Sequence, residues 1–151
     1  MNYLPLLLCT LLGCAAPTPP DPATEKAAIL AVLNGETAAA FGRDYAAWRA
    51  HWVHAPYVAK TYIDFATDTH SESLGWAAID AFVKDYFDAH PAPDPLPPPL
   101  TDIDLRLYGD GAYVYYEQLD PARGRKRETR LLERQAGRWR IAGMHTTIYG
   151  K

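Results

Sequence analysis

Near the end of the chain, Trp139-Arg-Ile-Ala-Gly-Met-His145 sets a titratable side chain beside apolar ones. Side chains alternate along a strand, so Trp139, Ile141, Gly143 and His145 share one face, and Arg140, Ala142 and Met144 the other. A large aromatic, an aliphatic, a gap and an imidazole are what a pocket wall would present. Imidazole titrates near neutral pH, which makes His145 a candidate general base or ligand contact; the alternative is a structural histidine bonded within the core. Asp64 is the one carboxylate in the strand-like stretch Tyr57–Phe65. It would serve as a base for proton abstraction if desolvation raised its pKa. His51 and His54 stand at i, i+3, a spacing that on a helix brings two imidazoles together. A metal needs at least a third ligand, and Pro56 ends the helix, so no metal is expected. His54 is instead expected at a pocket mouth with Tyr57. The four tryptophans and ten tyrosines fit either an aromatic cage or an ordinary core. No glycine-rich phosphate loop or nucleophile motif is present, and no cofactor is expected.

These residues need elements to hold them. Asp21-Pro22 reads as an N-cap followed by proline at the first helical position, with Thr24 as an alternative cap. Ile29, Val32, Leu33, Ala40 and Phe41 then recur at helical spacing up to Gly42. Asp44 caps a second, shorter helix carrying Trp48 and Trp52. Tyr57–Phe65 has strand composition, and Asp68–Ser73 reads as a polar turn. After Gly75, the residues Ile79, Phe82, Val83, Tyr86 and Phe87 make a single apolar stripe that stops before His90-Pro91. Six of the nine residues 91–99 are proline, a stiff connector. Four strands follow, at 101–108, 112–119, 126–135 and 138–148, the last two joined by a tight turn at Gln135-Ala136-Gly137. The layout is α+β, with helices laid over one face of a curved antiparallel sheet.

At 151 residues the chain has the length of one domain plus a leader. The net charge of −3 hides a cluster: residues 123–140 hold eight of the fifteen basic side chains. In an acidic chain this reads as a solvated sheet edge, and no nucleic-acid partner is expected. The leader, Tyr3–Leu12, is an apolar run too short to span a bilayer. Leu11-Leu12-Gly13-Cys14 resembles the bacterial lipoprotein processing box, which implies a signal over residues 1–13, lipidation of Cys14 and a proline-rich tether over 14–23. The domain then occupies 24–151. An ordinary secretory signal cut near Ala15-Ala16 is the alternative. Cys9 and Cys14 are the only cysteines, so the domain carries no thiol. The expected address is the cell envelope, lipid-anchored, and in a bacterium with two membranes the outer membrane or the periplasmic face.

The order of elements, with Glu128-Thr129-Arg130, Gly137-Arg138-Trp139 and His145, resembles the nuclear transport factor 2-like superfamily. The nearest likenesses are SnoaL-like proteins and the association domain of calcium/calmodulin-dependent kinase II. The resemblance covers roughly residues 24–149 and implies a cone-shaped α+β fold with a pocket between helices and sheet. Arg130 matches the arginine that lines the pocket of the kinase domain. Buried there, it needs a carboxylate, for which Glu117 on the neighbouring strand is the candidate; unpaired, it would attract an anionic ligand. Three functions stay open. One is a lipid-anchored domain binding a small, partly apolar, anionic molecule through Arg130 and His145, with Tyr57, Tyr115 and Trp52 as apolar wall. The second is a cofactor-free lyase, isomerase or hydrolase using His145 or Asp64. The third is an interaction module, and a homodimer is the expected assembly.

Overall fold

The computed structural model describes residues 21–121 and 123–150. The leader, Cys14 and the chain through Pro20 lie outside the described residues. Helix α1 (Pro22–Gly42) is capped by Asp21, whose carboxylate accepts from the backbone N–H of Ala23 and Thr24; Thr24 adds its hydroxyl to the same carboxylate rather than capping. It ends where Arg43 turns left-handed. Asp44 caps the short α2 (Tyr45–Ala50) through the N–H of Ala47. Helix α3 (Trp76–Ala89) follows Gly75, whose φ of 80° suits glycine.

Among the described residues one six-stranded sheet runs in the order β2-β1-β6-β5-β4-β3. Its strands are β1 (Ala59–Asp64), β2 (Thr69–Leu74), β3 (Asp104–Tyr108), β4 (Gly111–Asp120), β5 (Gly124–Gln135) and β6 (Arg138–Gly150). All neighbours are antiparallel except β1 and β6, which run parallel. Two expectations are corrected here. The polar stretch 68–73 is mostly strand: β2 pairs with β1 along its whole length, and as an edge strand with largely exposed side chains it carries no apolar alternation to betray it. The basic strands β5 and β6 are interior to the sheet, not an edge.

The core lies between the helices and the inner face of the sheet. Ile29 and Leu33 of α1, Trp48 and Trp52 around α2, Ile79 of α3, and Leu132 and Ile141 of the sheet are all buried. Each such apolar side chain contributes about 1.5–3 kcal/mol on burial. The proline-rich connector is tied to α1 by a reciprocal pair, Asn34 Nδ2 donating to Leu100 O and Leu100 N–H to Asn34 Oδ1. Asp94 N–H likewise donates to Phe41 O.

Candidate functional site

Strand register decides which side chains meet. Across the sheet Lys60 lies opposite Met144, Met144 opposite Arg130, and Arg130 opposite Val114. One row further, Tyr62, Thr146, Glu128 and Tyr116 are aligned; the next holds Asp64, Ile148, Lys126 and Gln118. Directly opposed residues share a face, and this is the inner one. Three rows of mostly polar side chains therefore point toward the helices, where an apolar core would ordinarily continue.

Between these rows and the helices is a cavity of about 450 Å³. Phe41, Phe82, Tyr86, Phe87 and Tyr62 supply apolar wall; Glu36, Lys60, Lys126 and Thr146 supply polar lining; Arg43, Asp64, Asp94, Asp120 and Arg123 also border it. Asp64 is four residues beyond Lys60 on β1, about 13 Å along the strand. The floor is thus near Lys60 and Glu36, and the mouth is where β1, α1 and the β4–β5 turn end.

A buried ionic network underlies this floor. Glu128 accepts from Arg130 Nε at 2.8 Å, Lys126 Nζ at 2.9 Å and Tyr116 OH at 2.7 Å. Arg130 Nη2 lies 2.5 Å from Glu128 and 3.5 Å from Glu36 on α1. Glu36 Oε1 takes the indole N–H of Trp48 at 2.9 Å and of Trp52 at 3.3 Å. Burial alone would raise the Glu128 carboxyl, but the charges of Arg130 and Lys126 and the bonds from Lys126 and Tyr116 outweigh it and hold the group down at about 2. Arg130 is held well above the usual guanidinium range: burial opposes its charge, and the neighbouring carboxylate of Glu128 overrides that.

Lys60 has no such partner. Its ammonium forms no ion pair among the described residues and lies 4.2 Å from the Tyr62 ring and 4.8 Å from the Phe82 ring. Burial brings its pKa down to about 8, with Glu36 pulling the other way. The floor thus carries three cations, Lys60, Lys126 and Arg130, against two carboxylates, Glu36 and Glu128. Arg130 Nη1 and Thr146 Oγ1 are buried with no hydrogen-bond partner.

The expected site residues scatter. His145 is exposed on the outer face, opposite Thr129 and Thr61. The register slips between Leu131–Gly143 and Leu132–Ile141, leaving Ala142 as an extra residue. Such a bulge reverses the alternation beyond it, so Trp139 and Ile141 face inward while Met144, Thr146 and Ile148 replace His145 there. The gap at Gly143 is filled on the outer face by Leu131, whose atoms lie 3.3 Å from where a Cβ would stand. Tyr115 and Glu117 are on that outer face too, and Glu117 pairs with Arg127 at 2.8 Å, not with Arg130. Arg130 takes Glu128 and Glu36 instead. Tyr57 is exposed, its hydroxyl 2.6 Å from Glu133. His54 stacks on Trp76 at 4.0 Å between ring centres and bonds to Arg49 O. Trp52 is fully buried and holds Glu36 rather than walling the cavity. His51 packs its ring over Gly35 of α1, and among the described residues no cluster of three metal-ligating side chains occurs. Asp64 does line the cavity, and Arg130 adjoins its floor.

Glu36 and Lys60 were missed, yet Glu36 left a signal. On α1 the buried positions are Glu25, Ile29, Leu33, Glu36 and Ala39, so both carboxylates fall in register with an apolar stripe. A charge at a stripe position has to find a buried partner. Glu25 finds Arg134 and the indole N–H of Trp139, the latter at 2.6 Å.

Comparison with known proteins agrees with this architecture. A protein with a cystatin-like fold from Burkholderia xenovorans superposes with a TM-score of 0.64 at 21% identity, covering 86% of this chain and 95% of its own. A nuclear transport factor 2-like protein of unknown function from Shewanella baltica gives 0.64 at 15% identity, covering 88% and 100%. A nuclear transport factor 2-like superfamily protein from Salmonella enterica gives 0.60 at 16%, covering 87% and 95%. These likenesses show the fold: helices packed on a curved, mostly antiparallel sheet. No match was found among curated protein sequences. The family profile described as SnoaL-like domain matches residues 29–149, which is most of the chain. The chain belongs to the SnoaL-like domain family.

Proposed function

We propose that the cone binds a small, partly apolar organic anion, its charged end at the floor and its apolar body along the aromatic wall. The observation that carries this reading is Lys60: a buried ammonium lining the cavity, with no carboxylate on it. A cation in such surroundings is stabilised by any anion that reaches it, and far more than at a surface. Two unpartnered donors, Arg130 Nη1 and Thr146 Oγ1, support the same sign. Elsewhere around the cavity Asp64, Asp94 and the buried Asp120 offset Arg43 and Arg123, so the unpaired cation is at Lys60 and orients the guest toward it. A volume of about 450 Å³ suits a molecule of one ring or a short chain.

The test is a matched pair of probes titrated calorimetrically. The anion 3-phenylpropanoate is expected to bind at least ~10-fold more tightly than its neutral isostere 3-phenylpropanamide, a difference of about 1.4 kcal/mol. Equal affinities would remove the electrostatic basis of the reading. The envelope address is a second part of the proposal, supported by the apolar leader and by Cys14 behind it. Cys14→Ser should move the protein from the membrane fraction to the soluble one; an unchanged distribution would refute lipidation.

A further inference from the structure

Lys60 differs from the other described lysines in what surrounds it. Lys26 pairs with Asp102, Lys84 with Asp88 and Lys126 with Glu128. Lys60 alone among them meets only aromatic faces and the cavity. With its pKa near 8, roughly a quarter of the side chains are free amine at pH 7.5, against about one in a thousand for an exposed lysine. A desolvated amine held on a strand at the closed end of a cavity is a nucleophile toward carbonyl carbon. Tyr62 lines the same space, and burial raises its phenol so that it keeps its proton. The hydroxyl of Thr146 is there as well, without a partner. Both can donate toward a carbonyl oxygen.

We propose that Lys60 forms a reversible imine with a 2-oxo acid bearing an apolar tail. This deepens the anion-binding reading and rests on it. The amine lone pair attacks the ketone carbon, the new C–N bond forms, and the oxygen takes up a proton to give a carbinolamine. The proton that the ammonium gave up to expose its lone pair returns to that oxygen, which leaves as water while the nitrogen lone pair closes the protonated imine. Summed, the ammonium and the ketone give the iminium and one water, with no net change of charge or proton. The iminium restores at the floor the positive charge of the resting ammonium, so the carboxylate of the adduct again has a counter-ion. No oxidant or reductant is needed, and hydrolysis reverses the step.

The full-length protein is incubated at pH 7.5 with 2-oxo-3-phenylpropanoate and cyanoborohydride, which reduces the imine to a stable amine, and the adduct is located by peptide mass mapping. Modification of Lys60 is expected at least ~10-fold faster than that of half-buried Lys26 and exposed Lys84, and faster still as pH rises toward 8. Lys60→Arg should abolish the adduct, with circular dichroism reporting whether the variant folds. Adduct spread over Lys26 and Lys84, or none on Lys60 in wild-type protein that binds 3-phenylpropanoate, would overturn the imine while leaving the anion site standing. An adduct on Lys60 without affinity for 3-phenylpropanoate would support the imine and overturn the anion reading. Failure of both measurements would remove both.

Discussion

Glu128→Gln is expected to destabilise the fold by about 3–5 kcal/mol, the range for breaking a buried ion pair from one side. Glutamine fills the same space but leaves Lys126 and Arg130 buried beside a neutral group. Arg130 would then keep only Glu36, 3.5 Å away, and Tyr116 would face an amide. The same carboxylate sets a pH dependence whose sign can be worked out. Its pKa is about 2 when folded against 4.5 as a free side chain, so the unfolded chain binds the proton more readily. Its contribution is therefore complete above about pH 4.5 and is lost as pH falls toward 2. Linkage makes that roughly 3 kcal/mol across the window. Urea unfolding at several pH values would show wild type weakening more steeply there than Glu128→Gln, whose remaining slope comes from other carboxylates held down in the fold, such as Asp102 and Glu117. Parallel acid limbs in the two proteins would mean that the network is not what holds Glu128 ionised.

Lys60→Met should have the opposite effect on stability and a larger one on binding. The ammonium is buried without a partner, and its folded pKa of about 8 lies below the 10.5 of a free lysine. Between those values the unfolded chain holds the proton and the folded one does not, so stability from this group rises with pH from about 8 upward. Below 8 the charge costs on the order of 3 kcal/mol. Methionine fits the volume and removes that cost, so the variant should unfold at higher urea near neutral pH and lack the alkaline rise. It should also lose most affinity for 3-phenylpropanoate, a decrease of 10-fold or more. In wild type that affinity should decline as pH rises above about 8, where Lys60 gives up its charge. A stabilised variant that still bound the anion would show that the cation, though costly, is not the anchor.

The two substitutions act on one small region, and their contrast explains the site. Glu128 is surrounded by donors and makes its neighbours tolerable. Lys60, one strand beyond β6 and one row away, forms no ion pair; Glu36 and Glu128 favour its charge only from a distance, and burial outweighs them. A floor that is satisfied on one side and cationic on the other has a direction, and that direction faces the cavity.

Much of this protein follows from local sequence. Asp21-Pro22, Asp44 and Gly75 start the three helices because caps and glycine act on the residues beside them. The α3 stripe, the Ala136-Gly137 turn and the meander of the last four strands are likewise set by periods and turn chemistry that operate within a dozen residues. The family resemblance was legible in Glu128-Thr129-Arg130 and Gly137-Arg138-Trp139, and with it the burial of Arg130. The pairing of that arginine was not, because Glu128 shares its face by the same alternation that puts Glu117 on the other. Only the tertiary structure decided where His145 points. One extra residue, Ala142, reverses the alternation of β6, and a bulge is a property of two paired strands, invisible in either alone. The parallel pairing of β1 with β6, joining residues more than eighty positions apart, likewise depends on the whole sheet. That pairing makes Lys60 the floor of a cavity: its neighbours are set by contacts across the sheet and by the aromatic side chains of α3, whereas its sequence context is an ordinary strand.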